Sequence, residues 1–267
     1  MESFTAREVA ELRKRTGAGI LDCREALVAC DGDLGRAEQW LREKGKISAR
    51  KREDRDRAEG AVAVVVDGLV GAIAALECET DFVAKSAEFV QLVDELAAEL
   101  AAGGQPALDS QSERVEKLAV ALKENIAVGP TRRFEAPEGS VIGSYLHIQN
   151  GRGVNAVLVE LAGGTQELAH DIAVHVAFTR PEYLSREEVP DEVLAAERRT
   201  VEAIARNEGK PEGALAKIIE GRLSGWLKER CLLEQPYVRD EKQTISELLS
   251  SHGNVELRRF AQVVVGS

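Results

Sequence analysis

The sequence predicts an α+β protein: three short helices first, then a core of two related sheet-plus-helix subdomains, with an antiparallel helical hairpin inserted late in the chain. Three observations predict it. The first 45 residues carry apolar side chains at helical spacing behind a helix-start signature. From Ala61 the pattern changes to β-branched runs joined by tight-turn residues, and this strand, turn, strand, break, helix order occurs twice. From about 190 to 229, helical periodicity returns on both sides of a single turn. The implied segments are 1–45, a linker at 46–59, 60–139 and 140–267.

In the first segment, Thr5 and Glu8 fit a capping box, in which each side chain satisfies an amide left orphaned at the helix start, and Phe4 and Val9 fit the apolar staple around it. The first helix runs to about Thr16, and Gly17 can stop it in a left-handed conformation. The second runs from about Gly19 to Cys30 and buries Ile20, Cys23, Leu27 and Cys30. After the Asp31-Gly32 turn, Asp33 caps a third helix carrying Leu34, Ala37, Trp40 and Leu41, which stops at Gly45. Such a bundle resembles the ubiquitin-associated type of module, which binds proteins through a shallow apolar surface. The polar stretch 46–59 lacks apolar periodicity and reads as a linker with partial helical character.

In the first core unit, Ala61 to Val66 and Leu69 to Glu77 are strands joined at Asp67-Gly68. A polar break covers Cys78 to Lys85. A helix begins at Ser86, buries Phe89, Leu92, Val93, Leu96 and Leu100, and ends at Gly103-Gly104. Residues 105–112 read as loop, and another helix follows to about Glu124. In the second unit, Ser140 to Ile148 and Val154 to Leu161 are strands around an Asn150–Gly153 turn, Gly163-Gly164 is the break, and a helix runs from Gln166 to Phe178. The hairpin pairs the Val193–Ile204 face with the Leu215–Trp226 face. A short helix near Thr244–Ser251 and a strand at Val255–Val265 close the sequence.

Composition narrows the function. The chain has 267 residues, 44% hydrophobic and 30% charged, with a net charge of −11. An acidic chain without a long basic stripe is poorly suited to gripping a phosphate backbone. Its one basic cluster, Lys44, Lys46, Arg50, Lys51, Arg52, Arg55 and Arg57, is broken by Glu53, Asp54 and Asp56. It reads as a solvated linker, with ribosome or RNA contact as the alternative. The cysteines, Cys23, Cys30, Cys78 and Cys231, form no C-x-x-C pair and have no histidine at ligand spacing, which fits reduced, cytosolic usage. There is no signal-peptide pattern and no membrane-length apolar run, so the expected location is cytoplasmic.

No phosphate-binding loop or nucleophile elbow is present, since Gly17-Ala18-Gly19 lies between helices. His170 and His175 are five apart, whereas a metal pair on one helix face prefers four. The chain therefore reads as a non-enzyme with no cofactor and no metal. The informative place is the strand-to-helix break of the first unit, which carries Phe82 and Val83 where the second unit has glycine. The pair is either a lid on the local core or an exposed anchor for a partner.

Leu12 to Leu27 (LRKRTGAGILDCREAL) and Glu79 to Lys85 (ETDFVAK), together with Gly143-Ser144-Tyr145-Leu146-His147, Gly209-Lys210-Pro211 and Glu220-Gly221-Arg222, resemble the elongation factor Ts family in the right order over nearly the whole chain. The resemblance implies a guanine-nucleotide exchange factor in translation. Its partner would be elongation factor Tu, bound in both GDP-loaded and nucleotide-free states, with no direct nucleic-acid or membrane contact. It implies that Thr80, Asp81, Phe82 and Val83 form the element reaching the partner's magnesium and phosphate region, with Asp81 and Phe82 intruding. Arg13, Ile20 and Leu21 would grip the partner's nucleotide domain, and Ile126 and His147 would add core contacts. Ile126 reads equally as a buried residue at a strand start. A further C-terminal helical module found in some members is expected to be missing, and homodimerisation through the hairpin stays open. Two other readings remain. One is an adaptor or chaperone without exchange activity. The other is a hydrolase using Cys78 and a histidine, which no residue arrangement supports.

Overall fold

A computed structural model describes residues 4–50, 52, 54–253 and 255–266 of the chain. Within the basic cluster, Lys51 and Glu53 and the side chains of Lys46 and Arg50 lie outside the described residues.

The N-terminal bundle comprises α1 (Ala6–Thr16), α2 (Ile20–Ala29) and α3 (Leu34–Arg50). The capping box forms: Glu8 N–H donates to Thr5 Oγ1 at 3.3 Å, and Thr5 N–H donates to Glu8 Oε2 at 2.6 Å. Leu12, Cys23, Ala26, Leu27, Cys30, Ala37 and Leu41 make the core, with Phe4 and Val9 packed against it. Ile20 is not in that core but 55% exposed. It begins α2 at an end that overhangs the bundle, where Ala18 of the preceding connection packs against the core instead. Helix α3 also runs past its expected stop at Gly45.

In the first core unit, β1 (Glu59–Asp67) and β2 (Val70–Cys78) form an antiparallel hairpin. The one-turn α4 (Asp81–Ala84) follows, within a stretch expected to be irregular. Helix α5 (Ala87–Asp109) contains a break at Gly104 (φ 66°, ψ −158°), so the predicted end is a change of direction, and residues 105–109 are helical rather than loop. Helix α6 (Ser112–Leu122) ends at a left-handed Lys123. A Cβ on Gly45 would lie 2.5 Å from Val120 Cγ1 of α6, so glycine there admits close packing of α3 on α6 rather than ending a helix. Strand β3 (Ala127–Glu135) then pairs with β2 and gives the order β1-β2-β3. Its Gly129, Pro130, Arg132 and Arg133 hide it from a strand pattern but suit a sheet edge, where unpaired backbone must be kept from pairing with other chains.

In the second unit, β4 (Ser140–Gln149) and β5 (Arg152–Ala162) form a hairpin, followed by α7 (Gln166–Thr179). Only Asn150 and Gly151 form the turn, both with positive φ. Arg152 and Gly153, expected in the turn, are ladder residues. Arg152 is held there because its guanidinium donates at 2.6 Å to both Gly60 C=O and the Glu59 carboxylate. The long hairpin of α8 (Asp191–Asn207) and α9 (Glu212–Arg230) interrupts this unit. The chain continues through β6 (Pro236–Tyr237), β7 (Asp240–Thr244) and α10 (Ile245–Ser251), and β8 (Glu256–Val264) then joins β5 to give the order β4-β5-β8.

The two sheets pack face to face. Val62, Ile73, Ala75 and Phe134 of the first meet Ile142, Ala156, Leu158, Ala261 and Val263 of the second. Helices α5 and α6 cover the outer face of one sheet, and α7 and α10 that of the other. The core is therefore four layers, helix–sheet–sheet–helix, in which each sheet carries helices on one face as the sequence predicts and lends the other to its twin.

Candidate functional site

The junction after β2 is built outward from its cap. Thr80 is extended (φ −125°, ψ 151°), and its Oγ1 accepts the Val83 N–H at 3.4 Å. That bond closes a single helical turn. Ala84 is buried in the subdomain core and Val83 packs half-buried against it. Successive helical side chains are rotated by about 100°, so fixing Val83 and Ala84 inward turns Phe82 outward, where it is 82% exposed. The apolar pair thus divides: Val83 is a lid on the local core, and Phe82 is left unburied.

Two acids hold this turn to the segment after α6. Glu124 Oε2 accepts the Glu79 and Thr80 backbone amides at 3.0 and 3.1 Å, and Glu124 Oε1 accepts the Thr80 hydroxyl at 2.5 Å. In return, Glu79 Oε1 accepts the Asn125 amide at 2.6 Å. The linker joins in, since Arg55 donates to Glu79 at 3.2 Å and its carbonyl accepts from Asn125 Nδ2 at 2.7 Å. Burial pushes the Glu79 carboxyl up, but the Asn125 amide and the Arg55 guanidinium outweigh it, so the group sits below the ordinary carboxylate value. Asp81 is lowered as well, chiefly by the hydrogen bond from Lys85. It presents a negative charge beside Phe82 at neutral pH.

The second unit has no such turn. Gly163 and Gly164, both at positive φ, lead directly to Thr165, which caps α7 by accepting the Leu168 amide at 3.1 Å. The additional turn of the first unit is what lifts Phe82 off the surface.

The other predicted contact residues lie on other elements. Arg13 is exposed on α1, and Leu21 is 80% exposed beside Ile20 at the start of α2. Asp22 on that end of α2 pairs with Lys123 at 2.8 Å, which sets the Ile20-Leu21 end next to the segment carrying Glu124. His147 is exposed near the end of β4, with its ring stacked on Tyr145 at 6.5 Å. That strand end adjoins the Thr80 junction because Arg152 reaches Glu59, whose ladder partner is Cys78. Ile126 is different: it is 7% exposed within the α5–α6 core, so its side chain is a core residue of the free chain. Glu124, Asn125, Arg55 and Arg152 escaped sequence reasoning. Their partners lie 24 to 93 positions away, beyond any spacing rule, and only an acid–amide pair just after a helix end hints at a role.

The cysteines give no nucleophile. All four are free and buried, and burial pushes the Cys78 thiol up to about 12 while its S–H donates to Thr80 C=O. Among the described residues, no three His, Cys, Asp or Glu side chains are grouped to hold a metal ion, and no helix is long and apolar enough to cross a membrane.

Comparison with known proteins adds the family. A family model described as Elongation factor TS matches residues 79–267. Proteins named Elongation factor Ts align with the whole of this chain: that of Kineococcus radiotolerans at 41% identity over 100% of its own length, and those of Acidothermus cellulolyticus and Mycobacterium marinum at 42% over 99% of theirs. This agrees with the signatures at Leu12–Leu27 and Glu79–Lys85 and with the three-helix bundle followed by a two-sheet core. The chain belongs to the elongation factor Ts family.

Proposed function

We propose that this chain is a guanine-nucleotide exchange factor that binds GDP-loaded elongation factor Tu in the cytoplasm and promotes GDP release. It does so by disturbing the magnesium and phosphate site with the Thr80–Val83 turn. The observation that carries this reading is Phe82, a large apolar side chain 82% exposed on a turn whose Glu79 and Thr80 amides donate to Glu124 and whose Val83 amide donates to Thr80 Oγ1. A core residue would be buried, and a mobile loop would not be so bonded. A rigid, exposed phenyl ring beside a carboxylate is suited to enter a cleft and displace groups that hold a cation and phosphates.

Exchange requires no acid–base chemistry. The factor binds the empty partner more tightly than the GDP-bound one, and linkage makes each ligand weaken the other by the same ratio. Moving the partner from about 1% to about 99% open takes roughly 5.5 kcal/mol of differential affinity. Burying Phe82 supplies about 1.5–3 kcal/mol of that. The balance comes from the Asp81 charge near the cation site and from the grip of Arg13, Ile20, Leu21 and His147.

The test is stopped-flow release of a fluorescent GDP analogue from elongation factor Tu. The wild-type chain is expected to accelerate release strongly, and Phe82→Ala to lower the maximal rate about tenfold or more, corresponding to 1.4 kcal/mol or above. A Phe82→Ala protein as fast as wild type refutes the wedge. A wild-type chain without effect on a competent partner refutes exchange and leaves the adaptor reading.

A further inference from the structure

We infer that Glu124 is the positioning residue of the exchange turn: its carboxylate fixes the direction in which Phe82 leaves the surface. The inference rests on the exchange reading above and adds the residue that pre-organises the wedge.

Three donors converge on this one side chain. The Glu79 amide, the Thr80 amide and the Thr80 hydroxyl all reach Glu124, at 3.0, 3.1 and 2.5 Å. Two are backbone groups at the exit of β2, where the ladder has ended and no strand partner takes them. The third is the hydroxyl whose oxygen also accepts the Val83 amide. Glu124 therefore orients the cap, the cap closes the turn, and the turn aims Phe82. The carboxylate is itself well placed, because the neighbouring Asn125 amide is returned to Glu79 at 2.6 Å and Lys123 before it is bound to Asp22. Phe82 makes no contact with Glu124 in this chain of bonds, so any effect of Glu124 on exchange passes through geometry. A side chain held in its bound conformation before docking loses less freedom on binding, and on this turn Phe82 is the exposed apolar group that gains most.

Glutamine at 124 retains a carbonyl oxygen for the two amides and an NH2 that can donate to the Thr80 oxygen, whereas alanine retains nothing. Wild type, Glu124→Ala, Glu124→Gln, Phe82→Ala and Glu124→Ala/Phe82→Ala are compared by maximal release rate of the fluorescent GDP analogue at saturating factor. Amide hydrogen exchange at Glu79, Thr80 and Val83 is followed in parallel. Glu124→Ala is expected to lower the maximal rate about tenfold and to deprotect those amides while α5 stays protected. Glu124→Gln is expected to stay within about threefold of wild type. In the Phe82→Ala background, removing Glu124 is expected to cost less than about twofold, because the group it positions is gone.

Equal losses in both backgrounds, a Glu124→Ala chain as fast as wild type, or a Glu124→Gln chain as slow as alanine would each overturn the inference while leaving exchange intact. Failure of wild type to accelerate release overturns the exchange reading instead, and indifference to Phe82→Ala overturns the wedge on which the inference rests. Loss of α5 protection in Glu124→Ala alongside a slow Glu124→Gln assigns the residue to stability rather than to positioning.

Discussion

His175 is completely buried on α7 and is held in one tautomer. Its Nδ1 accepts the Val238 amide at 3.3 Å, so Nε2 carries the proton and donates to Gln235 Oε1 at 3.0 Å. A second proton would have to sit on Nδ1, facing a donor. Burial lowers its pKa from the ordinary 6.5, partly offset by the Gln235 bond. The nearby charged pair, Asp171 with Arg239 at 2.7 Å, neutralises itself. With the folded pKa lowered, the unfolded chain binds more protons, so this contribution is fully present above 6.5 and is lost as pH falls below it. Urea unfolding is expected to show stability falling by up to about 1.4 kcal/mol per pH unit on acidification through this window. His175→Gln is expected to flatten that slope, and an unchanged slope would assign it to other groups. From sequence alone His175 could be read as a structural or a surface residue, because Gln235 and Val238 lie about sixty positions away. Phe82 was ambiguous for a related reason. Its direction is set by a four-residue turn too short to give a periodic signal.

At the scale of elements, small residues decide how closely layers approach. A Cβ on Gly143 of β4 would lie 2.4 Å from the backbone carbonyl carbon of Ala169 and 2.6 Å from its oxygen. Helix α7 thus rests directly on the β4 backbone, which gives the glycine of the Gly143–His147 signature a packing reason. Gly143→Ala is expected to destabilise the chain by about 1–3 kcal/mol in urea unfolding. Adding Ala169→Gly should restore it only in part, because it removes the Ala169 Cβ at 2.6 Å but leaves the carbonyl carbon and oxygen in place. Full rescue would show that the contact is between side chains. Helices and hairpins with strong periodicity and turn residues were legible in the sequence. Strand β3 was legible only at its start, beside Ile126, because an edge strand is protected by the same proline, glycine and arginines that erase its alternation. The end of α3 was misread because Gly45 signals a stop only when no neighbouring helix requires its space.

At the scale of the molecule, the burial of β2 on both faces from Gly71 to Leu76 explains an almost unbroken apolar run. That run was a visible trace of sheet-on-sheet packing, although periodicity alone assigns one core to each sheet. The N-terminal bundle is joined to this core on a more polar footing. Asp22 pairs with Lys123, Arg42 with Glu113, and the Arg52 guanidinium reaches Ala119 C=O, all around the Gly45–Val120 contact. Exposed pairs contribute only about 0–1 kcal/mol each and weaken as the screening length falls from about 10 Å at 0.1 M salt to about 3 Å at 1 M. The Arg42→Glu/Lys123→Glu variant at low salt, and wild type at 1 M salt, are expected to show a larger radius of gyration in solution scattering than wild type at low salt. An unchanged radius would mean that apolar packing alone fixes the bundle.

Strand β8 lies beside β5, yet the whole α8–α9 hairpin comes between them in sequence. During synthesis, the first sheet has all three of its strands once residue 135 has been added, whereas the second must wait until residue 264. Until then, Leu158 and Ala156 have a twin sheet to pack on, but the outer edge of β5 has no neighbour. The nascent chain therefore carries an open strand edge through the translation of about a hundred residues, a period in which the hairpin grows and that edge is free to pair with another chain.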